Sequence, residues 1–293
     1  MKNSHRILLI AVIFLSFGSI QASTKIDESR SISADGLVEV ENLAGSVKIT
    51  TWDRAEVKIE GELGDDVEQL EITEPSSGIR IRVKNRANQR NVDESHLRIQ
   101  IPRAASVEAE SVSADLTLSG AKGTSVVFRS VSGDLTVEAE VERLEMESVS
   151  GDVEFEGQTA RAAIETVSGE IEIQSVSGEV RISTVSGDAE LTGQRIASGR
   201  FETVSGDLQL MLDVADGGRL NAESMSGDVH LTLPDSQQAD FGAMTFSGEI
   251  RSDFGSVEEK SRGPGSSLSF RQGSSGASIE VESFSGDIRI EGR

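Results

Sequence analysis

The chain has 293 residues, with 50 Asp and Glu against 28 Lys and Arg. The resulting formal charge of −22 repels nucleic acid and anionic lipid and sets both aside as partners. There is no Cys, so disulfides and thiolate metal sites are excluded, and stability must come from packing and backbone hydrogen bonds.

Residues 1–22, MKNSHRILLIAVIFLSFGSIQA, pair a short basic start (Lys2, Arg6) with an apolar run from Ile7 to Phe17 and a small residue, Ala22. This is the pattern of a secretory signal peptide cleaved after Ala22. The apolar run is shorter than the roughly 20 residues that span a bilayer, so no stable membrane insertion is expected after cleavage. With no Cys near that site, no lipid anchor is expected either. Loss of Lys2 and Arg6 would take the formal charge from −22 to −24. The expected destination is the periplasm, the cell surface or the extracellular space.

Residues 23–293 are expected to form one domain. In its first part, 24–104, the segment GLVEVENLAGSVKITTWDRAEVKIEG alternates apolar and polar residues and carries a Gly-Ser turn without an acid. It is expected to form atypical coils that cap a stack. Next comes a basic island in which Arg80, Arg82, Lys84 and Arg86 share one strand parity. Two readings stay open for it: docking an anionic envelope polymer or headgroup, or neutralising acidic rows within a Debye length of about 8 Å.

Residues 105–250 are repetitive. Ser-Gly followed by an acid recurs at Gly133, Gly151, Gly169, Gly178, Gly187, Gly206, Gly227, Gly248 and Gly286, with a weaker copy at Ala114. Successive glycines lie 18, 18, 9, 9, 19, 21, 21 and 38 residues apart, so nine reads as a half-unit and 18 to 21 as the full one. Each turn leads into period-two alternation, the signature of a half-buried strand. Val153 and Phe155 are expected inward, with Asp152, Glu154 and Glu156 in water; Ile171 and Ile173 repeat this against Glu170 and Glu172. Val149, Gly151, Val153 and Phe155 share one parity, which places the glycine on the inward side, where a side chain would crowd the core or forbid a positive φ. Leu144, Met146 and Ser148 hold the other parity, so a bulge or corner is expected between Ser148 and Val149.

A unit of 18 to 21 residues matches one coil of an all-β, single-domain β-solenoid (β-helix-like), each strand pairing with its equivalents about 4.8 Å above and below. Length alone predicts roughly 13 coils and a rod on the order of 60 Å. A β-sandwich built from hairpins is the alternative fold. Residues 251–278 form a Gly/Ser-rich interruption, and 279–293, with IEVESFSGDIRI, form a closing coil.

The recurring [ST]VSGD phrase, the signal peptide, the FSGEIRSDFG to RGPGSS segment and the final SFSGDIRI together resemble the bacterial β-strand-repeat family known as putative adhesin, a domain of unknown function. The resemblance covers nearly all of 23–293, most strongly 105–293. It implies a β-solenoid exported to the envelope or surface, and it supplies no catalytic residues.

The residues themselves nominate no catalytic, cofactor or metal site. Three of the nine turn acids are Glu (Glu170, Glu179, Glu249), which points to charge or exposure and away from a local Asx geometry. Stacked carboxylates could hold divalent cations weakly, although calcium wants six to eight oxygens and each turn offers one carboxylate and one hydroxyl. His230 follows Asp228 by two, yet a Ser/His/Asp triad needs a third group that no spacing selects. His96 and His230, without Cys, are too few for zinc. A polysaccharide-processing β-helix would need clustered carboxylates and aromatic platforms, whereas these acids are evenly spread and the chain has one Trp and no Tyr. The expected function is non-enzymatic: adhesion, scaffolding or ligand sensing towards an unidentified envelope or surface component. The polysaccharide-processing enzyme and a cation-dependent structural rod are the alternatives.

Overall fold

Alternating β-branched and polar residues make strands wherever the chain is described, in residues 24–86, 92–259, 265–274 and 276–293 of a computed structural model. The predicted signal peptide, 1–22, lies outside the described residues, as does part of the 251–278 interruption. All strands join one continuous sheet, and the described residues contain no helix. The architecture is an all-β solenoid.

The regular body consists of β8 (Ser125–Ser130), β9 (Leu135–Ser148), β10 (Val153–Thr166), β11 (Ile171–Thr184), β12 (Ala189–Thr203) and β13 (Leu208–Ser224), numbered after the seven N-terminal strands described below. β9 to β13 each carry both long sides of one coil. Neighbours pair in parallel, offset by one repeat: Val153 stands between Leu135 and Ile171, and Ile164 between Met146 and Ile182. The inward rows of both sides, including Val137, Phe155, Ile173, Met146, Ile164 and Ile182, belong to one buried cluster, in which Phe128, Phe155 and Phe201 are the largest fully buried side chains. Like therefore stacks on like, and each coil buries an apolar face that it could not bury alone.

The N-terminal strands are β1 (Thr24–Ser31), β2 (Leu37–Trp52), β3 (Glu56–Leu63), β4 (Val67–Thr73), β5 (Gly78–Asn85), β6 (Ser95–Pro102) and β7 (Ser106–Ala121). β2 runs parallel to β7 on one edge and to β5 and β6 on the other. β1–β3, β3–β6 and β4–β5 are antiparallel. On β5, Arg80 makes two hydrogen bonds to Glu39 and Arg82 two to Glu41, and Lys84 lies 3.5 Å from Glu68. The basic island thus neutralises acids on adjacent strands; the backbone N–H of Arg86 donates to the carbonyl of Asp66.

The C-terminal strands are β14 (Val229–Leu233), β15 (Ala239–Thr245), β16 (Ile250–Ser252), β17 (Val257–Glu259), β18 (Ser266–Gln272), β19 (Ser278–Ser283) and β20 (Ile288–Gly292). Here stacking order departs from chain order. β19 pairs with β13 on one edge and β15 on the other, and β20 lies between β14 and β16. The last coil is inserted between two earlier ones. β18 runs antiparallel to β15 and covers its outer edge. Because the described residues of 53–104 and 251–277 add no turn to it, the column among the described residues has ten rungs, spanning about 43 Å at a strand spacing of ~4.8 Å. This is shorter than the 13 coils counted from length.

Candidate interaction surface

The turn phrase has a role for each of its five residues. The leading Ser or Thr is buried, and its Oγ accepts the N–H of the glycine three residues on, at 2.8–3.1 Å in all eight turns from Ser130–Gly133 to Ser283–Gly286. The second Ser is exposed, and its Oγ donates to the carbonyl of the second residue of the adjacent turn, as from Ser150 to Val131 at 3.2 Å and from Ser168 to Val149 at 3.1 Å.

The glycine is there for proximity. A Cβ on any of the eight would lie 1.9–2.1 Å from a carbonyl oxygen of the turn below, Gly133 O in the case of Gly151. None of the eight has a positive φ, so crowding, and not left-handed backbone, is the reason for glycine.

The acid has a shape requirement as well as a charge. The backbone N–H of Asp134 donates to Asp115 Oδ1, that of Asp152 to Asp134, and that of Glu170 to Asp152, at 3.1, 3.0 and 2.9 Å. The ladder resumes from Asp188 through Asp207, Asp228 and Asp287 to the N–H of Glu249, at 2.7–2.8 Å. This overturns the reading that charge or exposure alone is needed. Glu170 is the one rung whose carboxylate accepts no such bond, Glu249 is the last rung and has no successor, and Glu179 lies outside the column. Each Glu therefore stands where the short Asp carboxylate is not used.

The second residue of the phrase does not enter the core, contrary to the parity shared by Val149 and Val153. Val149 is 46% exposed, and the corner takes in Val149 and Ser150 together. Leu43, Val112, Val131, Val149, Val167, Val185, Val204, Met225, Phe284 and Phe246 form an outward apolar column, each 39–59% exposed. The larger residues come at the C-terminal end, where the Phe246 and Phe284 rings stack at 4.9 Å between centroids and 6° between planes. They line a cleft with Met244, Glu223 and Glu282.

Acids flank this column on both sides. One flank is the Asp ladder. The other is the row two residues before each apolar rung: Glu41, Glu110, Glu147, Glu165, Glu202, Glu223 and Glu282, interrupted by Ser183, Met244 and Arg129, the last of which pairs with Glu108 and Glu147 at 3.3 Å each. Burial opposes the charge on Arg129, but Glu147 and Glu145 outweigh it and hold the guanidinium pKa above its ordinary value. Among the described residues no Lys or Arg pairs with any ladder acid except Glu249, whose partner is Arg251 at 3.0 Å.

The 176–179 copy of the phrase is not equivalent to the others. Val176 is 1% exposed, Ser175 and Gly178 have φ of 68° and 79°, and the segment lies within β11 at the opposite corner. The half-unit of nine therefore marks the two sides of a coil without giving them the same bend.

His230 Nε2 contacts Glu291 Oε2 on β20 at 2.7 Å, so the ring is held by a carboxylate 61 residues away and not by Asp228. A Ser–His pair that spacing could not reveal occurs elsewhere: Ser46 Oγ lies 2.9 Å from His96 Nδ1, with Glu94 3.5 Å from Nε2. That trio is open to solvent, and its His–Glu separation is longer than an ordinary hydrogen bond. Among the described residues, no group of three or more His, Asp or Glu side chains is placed to hold a metal ion.

The family model Toastrack DUF4097 matches residues 37–218 and 202–291. The chain belongs to the Toastrack DUF4097 family. Among solved structures, it is similar to a putative adhesin from Parabacteroides merdae ATCC 43184 (11% identity, TM-score 0.54, covering 91% of this chain and 95% of that one). It is also similar to a putative lipid binding protein from Parabacteroides distasonis ATCC 8503 (13% identity, TM-score 0.53, covering 91% and 96%). At such identities the likeness is one of fold, and the two proteins carry different functional descriptions. No curated protein matches the chain.

Proposed function

We propose that this Toastrack protein is an exported, non-enzymatic binding module of the bacterial envelope that serves adhesion or scaffolding through the outer face of its turn column. The observation that carries the reading is the ten-rung apolar column, exposed along the length of the stack. Monomeric proteins rarely expose contiguous apolar patches beyond a few hundred Å², and larger ones mark interaction sites. Nothing in packing requires these rungs to be apolar, because they make no contribution to the buried cluster. The basic, apolar start of the sequence supports export, and the description of the P. merdae relative supports adhesion.

The test is cell fractionation followed by capture of envelope components on the purified protein, with the triple variant Val149→Ser, Val167→Ser, Val185→Ser as control. Recovery outside the cytoplasm, with envelope material captured by the parent chain and not by the variant, is the expected result. A cytoplasmic protein, or equal capture by both, would overturn the reading.

A further inference from the structure

The C-terminal end of the column differs chemically from the rest. Six valines in succession, Val112 to Val204, give way to Met225, Phe284 and Phe246, with Met244 beside them in the flanking row that is otherwise mostly Glu. Exposed stacked aromatics and flexible thioethers are the residues that anchor interfaces. The cleft between them is rimmed by Glu223 and Glu282, and Asp228 and Asp287 of the ladder follow Met225 and Phe284 by three residues on the other flank of the column. No Lys or Arg among the described residues pairs with any of these four acids.

Resting on the proposed binding role, we propose that this end of the column binds a cationic amphipathic helix. Its apolar residues would seat on Phe246, Phe284 and Met225, and its flanking Lys or Arg side chains would meet the two acidic rows. Charge selects the occupant. A second copy of this chain would bring acids against acids across the same face, and an anionic lipid surface or nucleic acid would be repelled. Spacing selects the conformation. Rungs repeat every ~4.8 Å, close to the 5.4 Å turn of an α-helix, so about four turns stay within ~2 Å of register. Same-face side chains of an extended strand repeat at ~6.7 Å and drift out of register about three times faster.

The probe is a synthetic peptide of about 18 residues, built from Leu on one helical face and Lys on its flanks, beside a scrambled peptide of the same composition. The titration is followed by fluorescence anisotropy and by far-UV circular dichroism, where helix signal belongs to the peptide because the protein has none among its described residues. Saturable binding with a gain of helix is expected, weakening as salt rises. The double variant Phe246→Ala, Phe284→Ala should bind at least ~10-fold more weakly. Glu223→Lys with Glu282→Lys should do the same without touching the rings. Equal binding of the scrambled peptide, binding without helix gain, or unchanged affinity in both double variants would overturn the proposal. If the parent chain captures envelope material yet ignores the peptide, this inference fails and the adhesion reading stands. If it binds the peptide but captures nothing from envelopes, the adhesion reading is the one that fails.

Discussion

The backbone N–H of Asp152 donates to Oδ1 of Asp134 at 3.0 Å, joining two residues 18 apart in sequence and one coil apart in space. The bond needs an acceptor and not a charge, so Asp134→Asn should change stability by less than about 0.5 kcal/mol, whereas Asp134→Ala should cost about 1 kcal/mol. Urea denaturation of the two variants compares them directly; equal losses would show that the charge itself matters.

Gly151→Ala should cost several times more, about 3 kcal/mol or above, because its Cβ would stand 2.1 Å from Gly133 O and must push two coils apart. Gly217 provides the contrast. It has a φ of 72° with no atom within 4 Å of an added Cβ, so Gly217→Ala should cost only about 1 kcal/mol from backbone strain. The ranking of the two unfolding midpoints decides whether crowding dominates.

Ser148→Ala removes the buried acceptor of the Gly151 N–H, a bond of 2.9 Å, and leaves that donor without a partner. A loss of about 1–3 kcal/mol is expected, and Ser148→Thr should restore most of it, since Thr fills the same position at Thr166 and Thr184. A neutral Ser148→Ala in the same assay would remove the stapling role.

Glu145 is one carboxylate through which acid acts on stability. The hydrogen bond from Arg143 holds its carboxyl below the usual carboxylate range, burial pushes the other way, and Arg129 adds to the lowering. Because the folded value is lowered, the stability it contributes is complete above the unfolded value of about 4.3 and disappears as pH falls through the folded one. Glu145→Gln should therefore be less stable than the parent at neutral pH by about 1 kcal/mol and converge with it in acid. A gap between the two chains that stays constant from neutral pH into acid would contradict this.

Val167→Ser should leave stability within about 0.5 kcal/mol, because the side chain is 45% exposed, whereas Val153→Asp buries a charge and should cost several kcal/mol. Thermal melts of the pair separate the outward valine from the inward one.

Much of the fold was legible in the order of residues. Period-two alternation is a local consequence of strand geometry, and a fixed repeat has one economical solution, stacking like on like, so the solenoid, its inward Val153 and Phe155 and its glycine turns followed from sequence. The corner at Val149 was half legible: the change of parity after Ser148 was visible, but not that the corner takes two exposed residues and turns the valine outward. That valine carried no distinguishing signal, because Val176 in the same phrase is buried at the opposite corner. In the sequence the turn acid reads as charge or exposure; its acceptor role is not visible there, since its partner amide lies on another coil.

By itself, then, the sequence determined the strand content, the repeat, the missing staples and the acidic surface, all properties of neighbouring residues or of composition. Tertiary structure decided which copies of the phrase form the column, that 278–292 slots between earlier coils, that His230 meets Glu291, and that the second residues of ten turns line up into one apolar face. Each of these depends on which strand edge pairs with which, and that is settled by the packing of the whole stack.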